Sequence, residues 1–278
     1  MLQAGTFYTL KIDDILPYGV YLSDELGNRV LLPNAHVPAD ATQGQQLKVF
    51  IYHDADSELV ATTSHPKAKL GEIALLRAVA TKPVGTFLDW GIEKDLFVPR
   101  KEQESPMQEG KNYLVYIYLD KVTGRVVASS RLHYFLAETA DNFEEKQPVK
   151  LQIYARTPMG YKAVINGTHL GLLFKDEAFK PLYIGQKLDG FIKHIRDDGR
   201  MDLCLQFNDQ SARDSLTEQI LQHLRQNNGI SNITDKADAD VIYQTFNVSK
   251  NAYKKALGQL YKQRKIQLSK SEITLTEN

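Results

Sequence analysis

Apolar and polar positions along this chain change their period once. In the first three quarters they alternate in short runs, as in Leu47, Val49 and Ile51, then Tyr113, Val115 and Ile117, then Leu188, Gly190 and Ile192. Alternation of period two predicts strands with one buried face. Turn-forming residues follow each run: Asp54 to Ser57, Asp120 to Gly124, and Asp197 to Arg200. Returning strands are predicted at Leu59–Thr62, Arg125–Ala128 and Met201–Leu205. Upstream, Gly19–Leu22 and Gly85–Leu88 read as strands bent at a glycine, which marks a bulge or corner.

After Asn208 the spacing becomes helical. Ala212 to Gln226 carries Leu216, Ile220, Leu221 and Leu224 on one stripe, and Asn227-Asn228-Gly229 stops it. A second helix is predicted over Asp238–Phe246. A third starts behind the cap residue Ser249 and runs from Lys250 to about Arg264. Tyr253, Ala256, Leu257, Leu260 and Tyr261 are its expected core face. Gly258 inside that helix costs about 1 kcal/mol, and close packing against another helix would explain it. Ile266–Leu268 and Ile273–Leu275 then alternate as a two-stranded wing. Three helices and a hairpin make a winged helix-turn-helix.

The strand-rich part repeats. Gly19, Gly85 and Gly160 are each followed 25 residues later by a second glycine, Gly44, Gly110 and Gly185. Ile51, Ile117 and Ile192 fall on one further column, and Val60, Val126 and Met201 on another. Four or five short strands per copy suit a small barrel of the OB type. The chain thus reads as multidomain and mainly β: three tandem barrels at 1–66, 67–137 and 146–208, then an α+β winged helix at 211–278.

The run Gly85-Thr86-Phe87-Leu88-Asp89-Trp90-Gly91 resembles the signature of S1 domains. The stretch from Gly110 through Val115, Asp120 and Gly124 to Ser130 is similar to their closing strands. The first two copies depart from the S1 pattern at Leu32 and Val98, where a histidine is usual. The third has Tyr161-Lys162 where the others place an aromatic second. With Lys255-Ala256-Leu257-Gly258-Gln259-Leu260-Tyr261-Lys262 near the end, the whole chain resembles the conserved virulence factor B (YitL-like) family. That resemblance implies RNA binding, an influence on gene expression after transcription, and no catalysis.

Charge changes this picture in one place. The 34 basic and 34 acidic residues cancel, so no overall basic field advertises a polyanion partner. Between Phe246 and Lys270, however, lie Lys250, Lys254, Lys255, Lys262, Arg264, Lys265 and Lys270 without one acidic residue. That window is the expected phosphate-binding patch. In the barrels Tyr21, Phe87, Trp90, Phe97, Tyr161 and Lys162 are the candidate RNA contacts. Tyr21 and Phe87 take the S1 aromatic position. Trp90 reads as a rim or inter-module contact, and Phe97 divides evenly between core and face.

The remaining chemistry is sparse. Seven histidines lack zinc-ligand spacing, and one cysteine, Cys204, builds neither a thiolate site nor a disulfide. Nucleophile-elbow, phosphate-loop and dinucleotide signatures do not occur. No cofactor, metal or catalytic set is expected. The chain start lacks a signal-peptide pattern and no apolar run spans a bilayer, so a cytoplasmic protein without membrane contact is expected. Single-stranded RNA is the expected partner. Two other readings stay open: a DNA-binding regulator acting through the winged helix, with duplex DNA as partner, and a protein-binding scaffold of degenerate barrels.

Overall fold

The structure is a computed structural model and describes residues 2–178, 181–207, 210–246 and 248–276. The expected boundary at Asn208 lies outside the described residues. The chain divides into two compact units, Met1–Leu136 and Ala137–Asn278.

The first unit holds two copies of the repeat. Strands β1 (Thr6–Leu16), β2 (Gly19–Ser23), β3 (Arg29–Pro33), β4 (Gln46–His53) and β5 (Leu59–Thr62) close a barrel in the order β1-β2-β3-β5-β4. The second copy uses β6 (Ile73–Lys82), β7 (Gly85–Leu88), β8 (Leu96–Pro99), β9 (Asn112–Leu119) and β10 (Val126–Ser129). Its order is the same, β10-β9-β6-β7-β8, but β8 and β10 share no ladder. The turn that follows β8 reaches both strand ends instead. Buried Gln103 donates its amide to the Val98 carbonyl at 3.2 Å, and Ser129 Oγ and Ser130 N donate to Glu102 O at 3.2 and 3.0 Å.

In the second unit, β11 (Pro148–Arg156), β12 (Gly160–Ile165), β13 (His169–Phe174), β14 (Lys187–Ile195) and β15 (Met201–Cys204) close the third barrel in the same order. The winged helix follows with α1 (Gln210–Gln226), β16 (Ile230–Ser231), α2 (Ala239–Phe246), α3 (Lys250–Lys262), β17 (Ile266–Leu268) and β18 (Ile273–Leu275). The wing is three-stranded rather than two-stranded, because β16 pairs with β18 through Ile230↔Thr274 and Ser231↔Ile273.

The two glycine columns have different physical causes. A Cβ on Gly19, Gly85 or Gly160 would stand 2.4, 2.3 or 2.1 Å from the carbonyl oxygen of Leu32, Val98 or Leu173. There the neighbouring strand passes too close for any side chain. Gly44, Gly110 and Gly185 have φ of +88°, +79° and +88°, and each donates its N–H to the first strand of its own copy, to Ile12, Ala78 and Ile153. A left-handed turn requires those glycines, and at Gly44 and Gly110 a Cβ would meet no atom closer than 3.9 Å. The first strand of every copy also bulges at the same place, between Ile12 and Asp14, Ala78 and Ala80, and Ile153 and Ala155.

The first two copies are not packed independently. Phe50, Tyr52 and Val60 of the first belong to one buried cluster with Leu76, Leu88, Trp90, Leu96 and Val115 of the second. Helix α3 begins as expected, with Ser249 Oγ accepting from Ala252 N at 3.0 Å. Its buried face is Ala252, Tyr253, Ala256, Leu257 and Leu260, and the Tyr253 hydroxyl donates to the Ile233 carbonyl at 2.7 Å.

Candidate nucleic-acid interface

Strand alternation decides which side chains face outward. In β2, Val20 and Leu22 are buried, so Tyr21 between them points away from the core and is only half-buried. In β7, Thr86 and Leu88 are buried and Phe87 points out. Leu96 and Val98 fill the core from β8, so Phe97 also faces out. The third barrel keeps the same frame but carries its aromatic one residue earlier, at Tyr161. Tyr161 packs with Ala163 and Ile165 against the core, and its hydroxyl accepts from Leu182 N at 3.2 Å. Expected on the RNA face, Tyr161 is therefore a barrel-filling residue, and Lys162 takes the outward place.

The pairing brings these residues into one recurring position. Tyr21 sits opposite Leu31, Phe87 opposite Phe97, and Lys162 opposite Leu172. Each copy furnishes that position differently. In the first, the Arg29 guanidinium lies 4.7 Å from the centre of the Tyr21 ring and is paired with Asp14 and, at 3.7 Å, with Asp13. In the second, the Phe87 and Phe97 rings are 5.0 Å apart, and Lys82 Nζ lies 5.4 Å from the centre of the Phe87 ring. In the third, Lys162 and Leu172 line a cavity of about 460 Å³ with Met159, Arg196 and Arg200. Arg196 is held by Asp202 at 2.6 Å, and Arg200 by Glu138 at 3.5 Å.

Trp90 departs from its assignment to the RNA face. It is 3% exposed, its indole N–H donates to the Ala68 carbonyl at 2.7 Å, and its ring meets Phe50 of the first barrel edge-on at 5.4 Å. It is an inter-module contact, and base stacking on it is excluded by burial. Cys204 is likewise buried, and desolvation pushes its thiol up to about 12.

On the winged helix, Lys254, Lys255, Lys262, Arg264, Lys265 and Lys270 are exposed, and Lys250 is half-buried. Two of the seven have neighbours that occupy them: Lys254 lies 3.9 Å from the Asp235 carboxylate, and Lys250 donates to the Lys236 carbonyl at 3.3 Å. Tyr261, expected in the core, is 56% exposed. At 100° per residue it falls beside Lys254, Gly258, Lys262 and Lys255 on the outward stripe. A Cβ on Gly258 would meet nothing within 4 Å. Helix packing therefore does not explain that glycine, which leaves bare backbone in the middle of the basic stripe.

Other cations near the barrel faces escaped the sequence pattern. Lys82, Lys94 and Arg125 come from strand ends and turns, and only the fold brings Lys94 and Arg125 beside Phe87 and Phe97. Among the described residues no group of three metal-ligating side chains forms, and no helix is long and apolar enough to cross a membrane.

Small Greek-key barrels with outward aromatics, joined to a winged helix, define a multidomain protein built from nucleic-acid-binding modules rather than catalytic ones. Comparison with known proteins agrees in both parts: residues 4–64 match the S1 domain family, and residues 218–275 match the CvfB-like winged helix domain. Along most of its length the chain is similar to proteins of the conserved virulence factor B family. It is 28% identical over 276 residues to the uncharacterized protein YitL of Bacillus subtilis strain 168, covering 95% of this chain and 91% of that protein. It is 22% identical over 241 residues to conserved virulence factor B of Staphylococcus epidermidis, covering 84% and 81%. A crystal structure of a multidomain protein with nucleic acid binding domains from Streptococcus pneumoniae TIGR4 aligns over 98% of each chain, with 22% identity and a TM-score of 0.44.

Proposed function

We propose that this protein is a non-enzymatic binder of single-stranded RNA that acts on gene expression after transcription, in the cytosol. The observation that carries the reading is the outward pair Phe87 and Phe97, half-buried and 5.0 Å apart, with Lys82 above one ring. Outward-facing paired aromatics suit unstacked bases; a duplex keeps its bases stacked and inaccessible to them. The exposed cations of α3 and the wing supply backbone attraction without sequence readout.

Filter binding of oligouridine, duplex RNA and duplex DNA at two salt concentrations tests this. Oligouridine should bind best and weaken steeply with salt. Equal or tighter binding of duplex DNA would overturn the reading. It would favour a second one, a DNA regulator, which the exposed Lys255 and Lys262 on the outward stripe of α3, without an ion pair among the described residues, support. Under that second reading, replacing Lys254, Lys255 and Lys262 by Ala abolishes duplex DNA binding and spares RNA. Under the first, the same triple variant lowers RNA affinity and flattens its salt dependence by about 0.7 log units per lost contact.

A further inference from the structure

A cavity of about 240 Å³ opens where the first two barrels meet. Phe87 and Phe97 wall it from the second barrel, and His53, at the end of β4, walls it from the first. Lys94, from the loop between β7 and β8, and Arg125, from the turn before β10, also line it. Lys94 donates across the seam to the Asp54 carbonyl, and Arg125 to the Ser57 hydroxyl. Both acceptors are neutral, and neither cation forms an ion pair among the described residues. His53 Nδ1 is buried and has no hydrogen-bond partner among them.

Tying two barrels together accounts for only part of this. It occupies one of the three ammonium donors of Lys94 and one of the five guanidinium donors of Arg125. Burial, followed by the charge of Arg125, holds the Lys94 ammonium below its ordinary range. Burial, then Lys94 and Arg125, does the same to His53. A partly buried ammonium and an exposed guanidinium on one wall, beside a buried imidazole nitrogen without a partner among the described residues, create a field that an anion relieves. Carboxylates oppose it in part: Asp95 on the wall, Asp54 near both Lys94 and His53, and Glu58 near His53.

We infer that this seam is a phosphate site, in which Lys94, Arg125 and His53 hold the phosphate of a nucleotide whose base lies on Phe87 and Phe97. The ligand chemistry is a nucleoside phosphate, whether a free mononucleotide or one residue of a strand. The inference rests on the nucleic-acid reading above and deepens it, because it couples the stacking pair to a charge site built from two barrels.

Trp90, the chain's single tryptophan, lines the same cavity and reports on it. The full chain is titrated with uridine 5′-monophosphate and with a ten-residue oligouridine, following Trp90 fluorescence; anisotropy of a labelled oligouridine follows binding anywhere on the chain. A saturable Trp90 response is expected. R125Q and K94Q should each weaken it about tenfold, the loss of one charge-assisted hydrogen bond, and D95N should tighten it. H53Q, which removes no tie between the barrels, should also weaken it, so a folding defect in the other two does not decide the matter. A response to the mononucleotide as strong as to the strand assigns the site to free nucleotides. A much stronger response to the strand, lost in the same variants, assigns it to RNA. Oligouridine binding by anisotropy without any Trp90 response overturns this site and leaves the general reading standing. A response unchanged in R125Q, K94Q and H53Q overturns it as well. Failure of oligouridine to bind, with the mononucleotide response intact, sinks the RNA reading and supports the site for free nucleotides.

Discussion

The first and second barrels share a strand order, a bulge and both glycine columns, yet they present opposite faces at the same position. Tyr21 is covered by an arginine whose charge is spent on Asp13 and Asp14. Phe87 and Phe97 stand together beside Lys82, Lys94 and Arg125, none of which is ion-paired among the described residues. Inward positions answer to packing and recur from copy to copy. Outward positions are free of that constraint, so neighbouring copies of one barrel can differ in what they bind. Under the proposed reading the second barrel carries the binding face, and the first gives it a wall through His53 and the core cluster around Phe50 and Trp90.

Substitutions that strike the shared frame should erase the difference between barrels. Gly19→Ala and Gly85→Ala each force a Cβ to within 2.4 Å of a backbone carbonyl. Each should cost about 3 kcal/mol, at the upper end of overpacking penalties, in urea unfolding followed by Trp90 fluorescence. A mild effect at one glycine and a severe one at the other would show that the two frames are not equivalent.

Substitutions on the faces should restore the difference. Phe97→Ala should weaken oligouridine binding by about 1–3 kcal/mol, the usual value of a stacked base, whereas Tyr21→Ala should change it by less than about threefold. An equal loss from both, measured by filter binding, would mean that the Arg29 cover does not matter. In the winged helix, Gly258→Ala should raise stability by about 1 kcal/mol, because no neighbour obstructs the methyl. If bare backbone on the basic stripe serves binding, the same variant should lower nucleic-acid affinity while the melting temperature rises.

The smallest effect concerns pH at the seam. His53 is held below its ordinary value by burial and by Lys94 and Arg125. The unfolded chain therefore takes up a proton there before the folded one does. Its contribution to stability is present above the ordinary histidine value and is lost as pH falls toward the depressed folded value. Urea midpoints at pH 7.5 and 5.5 should differ more in the parent chain than in His53→Gln.

Much of the architecture was legible because it rests on local signals. Glycines at equal spacing marked the three copies, and Ser249 marked the start of α3. One column was invisible: Gly5 and Gly71 donate to Ile51 and Ile117, and the third copy uses Lys146, with φ of +69°, to donate to Ile192. A lysine in a left-handed turn does not look like the glycines it replaces. The site was less legible. Tyr161 is the aromatic next to the third copy's first glycine, but it stands one residue before the column of Tyr21 and Phe87, and in an alternating strand one residue exchanges outside for inside. Tyr261 lies just beyond the edge of its helix's buried stripe, where an apolar count alone does not separate face from core.

By itself, then, the sequence determined the number of modules, the strands and helices within them, and the excess of positive charge near the end. These follow from period, turn chemistry and composition, which act over a few residues. Only the tertiary structure decided that Trp90 is buried against Phe50, that Phe97 faces outward, and that His53, Lys94 and Arg125 meet at one seam. Those outcomes depend on which surfaces of two barrels press together, and no short stretch of sequence encodes a contact between side chains that are dozens of residues apart.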